Sequence, residues 1–226
     1  MKITFLGQAG LLFEKDGFKI AIDPYFSDSA AREDMRKHRR VPVPPEFSEL
    51  VPDVLICTHD HVDHYDAETA GRMLGSKSGI TFLSPRSVWE KARLSGNGSN
   101  CVMFDRGTEW TERGVRFTAV KAVHSEKYAI GVIIHDLAAD RKYYVTGDTL
   151  YSEEIFGDIP CDIYALFLPV NGEGNNMNKT DAARFAARVG AKFTVPFHIG
   201  LLDDITDADF ECENKVSPAI FKEIIL

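Results

Sequence analysis

The stretch Thr58-His59-Asp60-His61-Val62-Asp63-His64-Tyr65-Asp66 directly follows a short apolar run, Val54-Leu55-Ile56-Cys57. Residues 53–58 are rich in β-forming types and read as a buried strand. His59 and His61 stand two apart, so an extended backbone points both side chains to the same side. From Tyr65 the pattern turns helical, which leaves Asp63 and His64 on the turn between strand and helix, aimed at a different point. Three of the chain's seven histidines fall within six residues. A solvated loop gives no reason for that density at the end of a core strand, whereas a metal site does: one pair for one ion, a second pair for its neighbour. The spacing also excludes the zinc-protease motif His-Glu-x-x-His, which needs one helix face.

His59-x-His61-x-Asp63-His64 resembles the signature of the metallo-β-lactamase-fold hydrolases. The resemblance implies an α+β fold, an αββα four-layer sandwich, with one or two divalent metals at the sheet edges and a metal-bound hydroxide as nucleophile. It also implies a further histidine, a bridging aspartate and a last histidine, in that order. His124 at the end of strand 115–123, Asp148 in Gly147-Asp148-Thr149 after strand 142–146, and His198 after strand 192–197 match that order. By this resemblance His59, His61 and His124 hold one metal, Asp63, His64 and His198 the other, and Asp148 bridges. A carboxylate can span two cations about 3.5–4 Å apart, and Gly147 lets the backbone come close. Asp63 and Asp148 therefore carry the expected catalytic roles, Asp63 also steering the hydroxide. In such relatives an Asp-Pro follows the early strands near the metals, so Asp23 is either a carboxylate holding a ligand histidine or a plain turn residue before Pro24.

Size and charge narrow the function. The 226 residues suit a single hydrolase domain spanning residues 1–226 with ample core. A net charge of -8 and a pI near 5.4 argue against broad nucleic-acid binding. The apolar runs fall short of a membrane span, and Met1-Lys2-Ile3-Thr4 begins a strand rather than a signal peptide. Cys57, Cys101, Cys161 and Cys212 are widely spaced without a Cys-x-x-Cys pair. They read as thiols of a reducing compartment, which makes the cytoplasm the expected location. The expected partner is a small-molecule substrate, not nucleic acid or membrane, with a homo-oligomer left open.

Along the chain, residues 2–6 and 10–15 alternate, and Asp16-Gly17 turns the second run into Phe18–Ile22, a hairpin signal. Arg32, Arg36, Lys37, Arg39 and Arg40 crowd a short stretch before Val41-Pro42-Val43-Pro44-Pro45. One reading is an extended lid whose cations greet an anionic substrate; the plainer one is a solvated helix and a stiff linker. Ser84-Pro85 opens a helix as N-cap and first-turn proline, ended by Gly96. Strands are expected at 101–104, 115–123, 130–135 and 142–146. His38 and His135 read as structural. Asn171-Gly172-Glu173-Gly174-Asn175 follows the apolar strand 162–170 and offers amide and carboxylate groups to a substrate, making Asn171, Glu173 and Asn175 candidate substrate-binding residues. Asn178 or Thr180 caps a helix ended by Gly190, and Ser217-Pro218 predicts a closing helix.

Thr58-His59-Asp60-His61, Gly147 to Ser152, the Asn171–Asn175 loop, the helix from Lys179 and Val195-Pro196-Phe197-His198 are most similar to the L-ascorbate-6-phosphate lactonase branch of that family. This implies zinc or manganese as cofactor and opening of a lactone or ester of a small, sugar-phosphate-like anion. The chain departs from that branch in lacking its long N-terminal extension and in the region of His124. A phosphodiesterase acting on a small or lipid phosphodiester needs the same two metals. A metal-binding module without catalysis is the third reading.

Overall fold

A strand buried on both faces must be apolar at every position, and Val54–Ile56 (β4) is such a strand. The structure, a computed structural model, describes residues 1–93 and 98–226. Its helices are Ala30–Glu33 (α1), Pro45–Ser48 (α2), Ala67–Ser76 (α3), Arg86–Ala92 (α4) and Lys179–Val189 (α5). With β4 in one sheet are Lys2–Gly7 (β1), Gly10–Lys15 (β2), Phe18–Ile22 (β3), Thr81–Ser84 (β5), Asn100–Met103 (β6) and Lys222–Glu223 (β13). Their order is β13-β1-β2-β3-β4-β5-β6. The second sheet runs β12-β11-β10-β9-β8-β7. It is built from Glu109–Glu112 (β7), Val115–Lys121 (β8), Ile130–Asp136 (β9), Arg141–Val145 (β10), Ile163–Pro169 (β11) and Phe193–Phe197 (β12).

Alternation of side chains assigns the layers. Ile20, Ile22, Val54 and Ile56 face inward and share a core with Phe117, Val132 and Ile134 of the second sheet. Ala21, Leu55 and Cys57 face outward and pack under α3 and α4 through Ala70, Met73, Leu74 and Val88. Tyr143 and Tyr144 divide the second sheet in the same way. Tyr143 meets Phe13 of β2 edge-on at 5.6 Å, while Tyr144 lies 6.3 Å from Phe185 of α5. The result is the expected αββα sandwich of an α+β protein.

Direction matters for the site. β3, β4 and β5 are parallel to one another, as are β10, β11 and β12. Several strands therefore deliver their C-terminal residues to one edge of the sandwich. The Asp16-Gly17 hairpin forms as expected between β2 and β3, both turn residues at positive φ (50° and 79°), the pairing that a tight hairpin needs.

Some local expectations are corrected. Ser217-Pro218 starts no helix. The chain instead turns at residues 220–221 into β13, which pairs antiparallel with β1, and the flanking Phe221 and Ile224 bury their side chains. The open edge of β1 outweighs the capping signal. Ser84 ends β5 and does not cap α4, whose flanking residue Pro85 makes no side-chain cap. Pro45 begins the single turn of α2, since proline suits a first helical position, so the proline stretch is extended only up to that point. Glu109–Glu112, not among the expected strands and only four residues long, forms edge strand β7 beside β8. The expected helix stop at Gly96 lies outside the described residues.

Phe13 is fully buried and also meets Phe167 edge-on at 5.8 Å. Phe13→Ala is therefore expected to lower the unfolding free energy by about 3–5 kcal/mol, measured by urea denaturation; a loss under about 1 kcal/mol would contradict this account of the sheet interface.

Candidate metal centre

Each strand end contributes a defined piece of the site. β4 leads into His59, His61, Asp63 and His64; His124 follows β8, Asp148 follows β10 and His198 follows β12. The turn after β4 is pinned by Asp66, the N-cap of α3, which accepts from Glu68 N and Thr69 Oγ1 and also from Ser27 N and Ser29 Oγ. Gly147 has φ +60°, and a Cβ there would stand 2.7 Å from the Ile130 carbonyl oxygen and 3.0 Å from Thr58 Cβ. Only glycine lets β10 run close enough to bring Asp148 beside the histidines.

The side chains converge into two groups: His59, His61, His124 and Asp148, and Asp63, His64 and His198. Within each, one nitrogen or carboxylate oxygen per residue lies within 4.8 Å of the others. The rings of His59, His61 and His124 stand 4.6–4.8 Å apart. Asp148 joins the groups. Its Oδ1 is 3.2 Å from His64 Nε2 and its Oδ2 is 3.4 Å from His198 Nε2.

Supporting residues hold these groups from behind. Asp23, at the end of β3, takes His64 Nδ1 at 2.8 Å and also accepts from Thr58 N and Oγ1. Of the two readings of Asp23, this contact is the one that holds a candidate ligand. The Asn171–Asn178 segment closes over the centre. Asn171 Nδ2 lies 3.0 Å from His198 Nδ1, the Asn175 carbonyl oxygen 3.1 Å from His124 Nδ1, and Asn176 Nδ2 donates to Asp148 Oδ2 at 2.8 Å. Asn171 and Asn175 thus reach candidate ligands, and Glu173 lines the open space. Asn176 and Gln8, whose Nε2 donates to Asp63 Oδ2 at 2.8 Å, were not legible as site residues. Asn176 is one amide among several in its loop, and Gln8 lies far from any motif.

Electrostatics explain what such a patch requires. Burial lowers the pKa of His59 well below its ordinary value, as does the nearby His64, and burial lowers His124 too. Both are therefore neutral, the state in which imidazole donates an electron pair. Burial opposes charge on Asp148 and Asp63, but His64 and His198 outweigh it and hold both carboxyls below the usual carboxylate range. Burial likewise opposes a proton on His198; the Asp148 and Asp63 carboxylates outweigh it and push its pKa up to about 10. His64 is raised for the same reason.

The donor set fits divalent cations. His59 Nε2 is buried and makes no hydrogen bond, which costs free energy unless something else accepts its electron pair, and His64 Nε2 faces Asp148 Oδ1 as an ion pair at 3.2 Å whose proton a cation would replace. Imidazole with carboxylate is a ligand mixture for zinc and, where oxygen ligands dominate, manganese.

Two adjoining cavities give access. A pocket of about 230 Å³ contains His61, His124, Asp148 and the Asn171–Asn176 segment. A wider cleft of about 500 Å³ is lined by Gln8, Asp34, Arg36, Arg40, Leu202, Asp203, Asp204 and Ile205. Lys37, Asp63, Glu173 and His198 border both. Most of the basic stretch is already paired: Arg32 with Glu68, Arg36 with Asp34, Arg40 with Asp204. Arg39 donates to the Tyr25 and Val41 carbonyls and stacks on Tyr25. Lys37 forms no ion pair among the described residues. His135 pairs with Asp140 and His38 lies near the Met35 carbonyl, both apart from the two groups.

A model of the beta-lactamase superfamily domain matches residues 19–199. The chain is 30% identical to a UPF0173 metal-dependent hydrolase of Exiguobacterium sp., over 94% of this chain and 92% of that protein. It is 26% identical to N-acyl-phosphatidylethanolamine-hydrolyzing phospholipase D 1 of Caenorhabditis elegans, over 87% of this chain; the chain spans 63% of that relative's length. In fold it is similar to a possible metal-dependent hydrolase from Veillonella parvula, with a TM-score of 0.80, 16% identity, and 100% and 99% of the two chains covered.

The histidine pKa gives a signed pH prediction for the metal-stripped protein. His198 holds its proton to about pH 10 when folded, against about 6.5 for an ordinary histidine. Its contribution to stability is therefore full below pH about 6.5 and is lost as the pH rises through about 10. Chelator-treated protein should melt at falling temperature across that window by scanning calorimetry, and a constant Tm would contradict the charge balance described.

Proposed function

The chain belongs to the metal-dependent hydrolases of the beta-lactamase superfamily, and on that premise we propose that it hydrolyses an ester or lactone of a small anionic molecule. The observation that carries this reading is the meeting of two ligand groups through Asp148 beside a cleft that Lys37 borders. In this reading His59, His61, His124 and Asp148 hold one divalent cation, and Asp63, His64 and His198, with Asp148, a second. A cation held there supplies Lewis acidity, polarising a carbonyl or phosphoryl oxygen and bringing the pKa of water to about 7.

The remaining work falls to the chain. Asp63 borders both cavities and orients the attacking water by accepting its hydrogen bond. Lys37 receives the substrate's anionic group, its compact ammonium suiting carboxylate or phosphate as a point charge. Glu173 accepts from a substrate hydroxyl at the rim. Asn171, Asn175 and Asn176 keep His198, His124 and Asp148 aimed, which fixes the distances that catalysis depends on. The lining is mostly polar, Leu202 and Ile205 being the apolar members of the wider cleft. That favours a small charged molecule over an acyl chain. The lactone form of the reading rests on the resemblance of the Gly147–Ser152 and Asn171–Asn175 stretches to the sugar-lactone branch.

A second reading, hydrolysis of a small phosphodiester, is favoured by the similarity to a phospholipase D, since the same ligand set serves in-line displacement at phosphorus. A panel of sugar-acid lactones, simple esters and bis-para-nitrophenyl phosphate, run on zinc- and manganese-loaded protein, separates the two. Lactone or ester turnover supports the first, and phosphodiester turnover alone replaces it with the second.

Asp148→Asn is expected to abolish turnover and to cut metal content by elemental analysis. Its effect should exceed the about 10–100-fold that loss of a ligand's supporting partner costs. Near-wild-type hydrolysis by this variant would sink the scheme.

A further inference from the structure

Between β1 and β2 the register shifts, and the connection passes through Gln8 at φ +54°. Gln8 is 2% exposed. Its carbonyl oxygen accepts from His198 N at 2.6 Å, a link that any residue at this position would keep. The side chain does something separate: its Nε2 donates to Asp63 Oδ2 at 2.8 Å. The same nitrogen is 3.1 and 3.2 Å from the two ring nitrogens of His198. A group equidistant from both is aligned with neither, whichever of them carries a proton, and Asp63 is the true acceptor.

The amide's other end shows what this contact is for. Gln8 Oε1 is buried and makes no hydrogen bond, a state that native interiors rarely tolerate. Turning the amide over would not relieve it, because an ionised carboxylate is acceptor-only and would repel the oxygen. The fold keeps one oxygen unpaired so that Asp63 has a donor. Among the described residues, Gln8 is the one side chain outside the two ligand groups that hydrogen-bonds to Asp63. His64 has Asp23 in that role, and Asp148 has Asn176.

We propose that Gln8 is a positioning residue for Asp63, setting the metal affinity of the Asp63–His64–His198 group and leaving that of His59–His61–His124 unchanged. The inference rests on the metal-centre reading given above. It adds a chain-specific asymmetry: one group depends on an amide from the first strand connection, and the other does not touch it.

Gln8→Met keeps length and volume, keeps the backbone link to His198, and removes the amide. Gln8→Asn suits the left-handed backbone at least as well but is one methylene too short to reach Asp63, so it serves if the methionine variant folds poorly. Metal-stripped protein is titrated with zinc against a chromophoric chelator. Both variants are expected to bind one equivalent about 10–100-fold more weakly, the usual effect of losing a ligand's supporting partner, and the other as in wild type. In a His124→Ala background the equivalent that remains is the one Gln8→Met weakens. Two unchanged equivalents, or two weakened together, would overturn the proposal; the second outcome would make Gln8 a general fold residue. Wild-type protein that takes up no zinc would instead overturn the metal-centre reading itself.

Discussion

Two carboxylates and five imidazoles share one patch at the edge of the sandwich, buried at His59, His64, Asp148 and His198 and open to solvent at His61, and much of the molecule is arranged around their need for positive charge. Anions taken out of water demand a partner. Asp63 and Asp148 find it in His64 and His198 when those rings are protonated, and would find it in cations otherwise. Neutral His59 and His124 stand on the other side, suited to donate electron pairs and not to supply charge. The parallel strand bundles in each sheet are what make the patch possible, because they bring several C-terminal ends to one place.

The support around the patch follows a simple geometric rule. A residue at the end of the neighbouring strand can reach the ligand next door. β3 adjoins β4, so Asp23 reaches His64. The segment after β11 lies between the ends of β10 and β12, so Asn171 reaches His198 and Asn176 reaches Asp148. The same segment borders the inner pocket. The loop that aims the ligands therefore also shapes the space beside them.

How much of this is legible in the chain follows from what kind of signal each residue leaves. The four residues after β4 are readable because dense histidine at the end of an apolar strand makes physical sense where electron pairs are wanted. His124, Asp148 and His198 become readable through their order in the chain, each at the end of a strand with a recognisable pattern. Gln8 and Asn176 act through one hydrogen bond each across a long separation, which leaves no local periodicity to find. The closing strand is hidden because Ser217-Pro218 is a genuine local capping signal, overruled by an open sheet edge more than two hundred residues away in sequence. The crowd of arginines looks like an anion receptor by composition. Pairing with Asp34, Glu68 and Asp204 can be seen only in three dimensions.

The backbone link between Gln8 and His198 joins residues 190 apart in the chain. Contacts between such remote segments carry the entropy of closing a long loop. His198 meets Gln8 and Asp63 where the end of the second sheet lies against the first. A chain grown only as far as α3 holds the His59–His64 cluster alone, without His124, Asp148 and His198. The patch is in this sense a product of the finished fold, drawn from both ends of the chain and complete only where the two sheets meet.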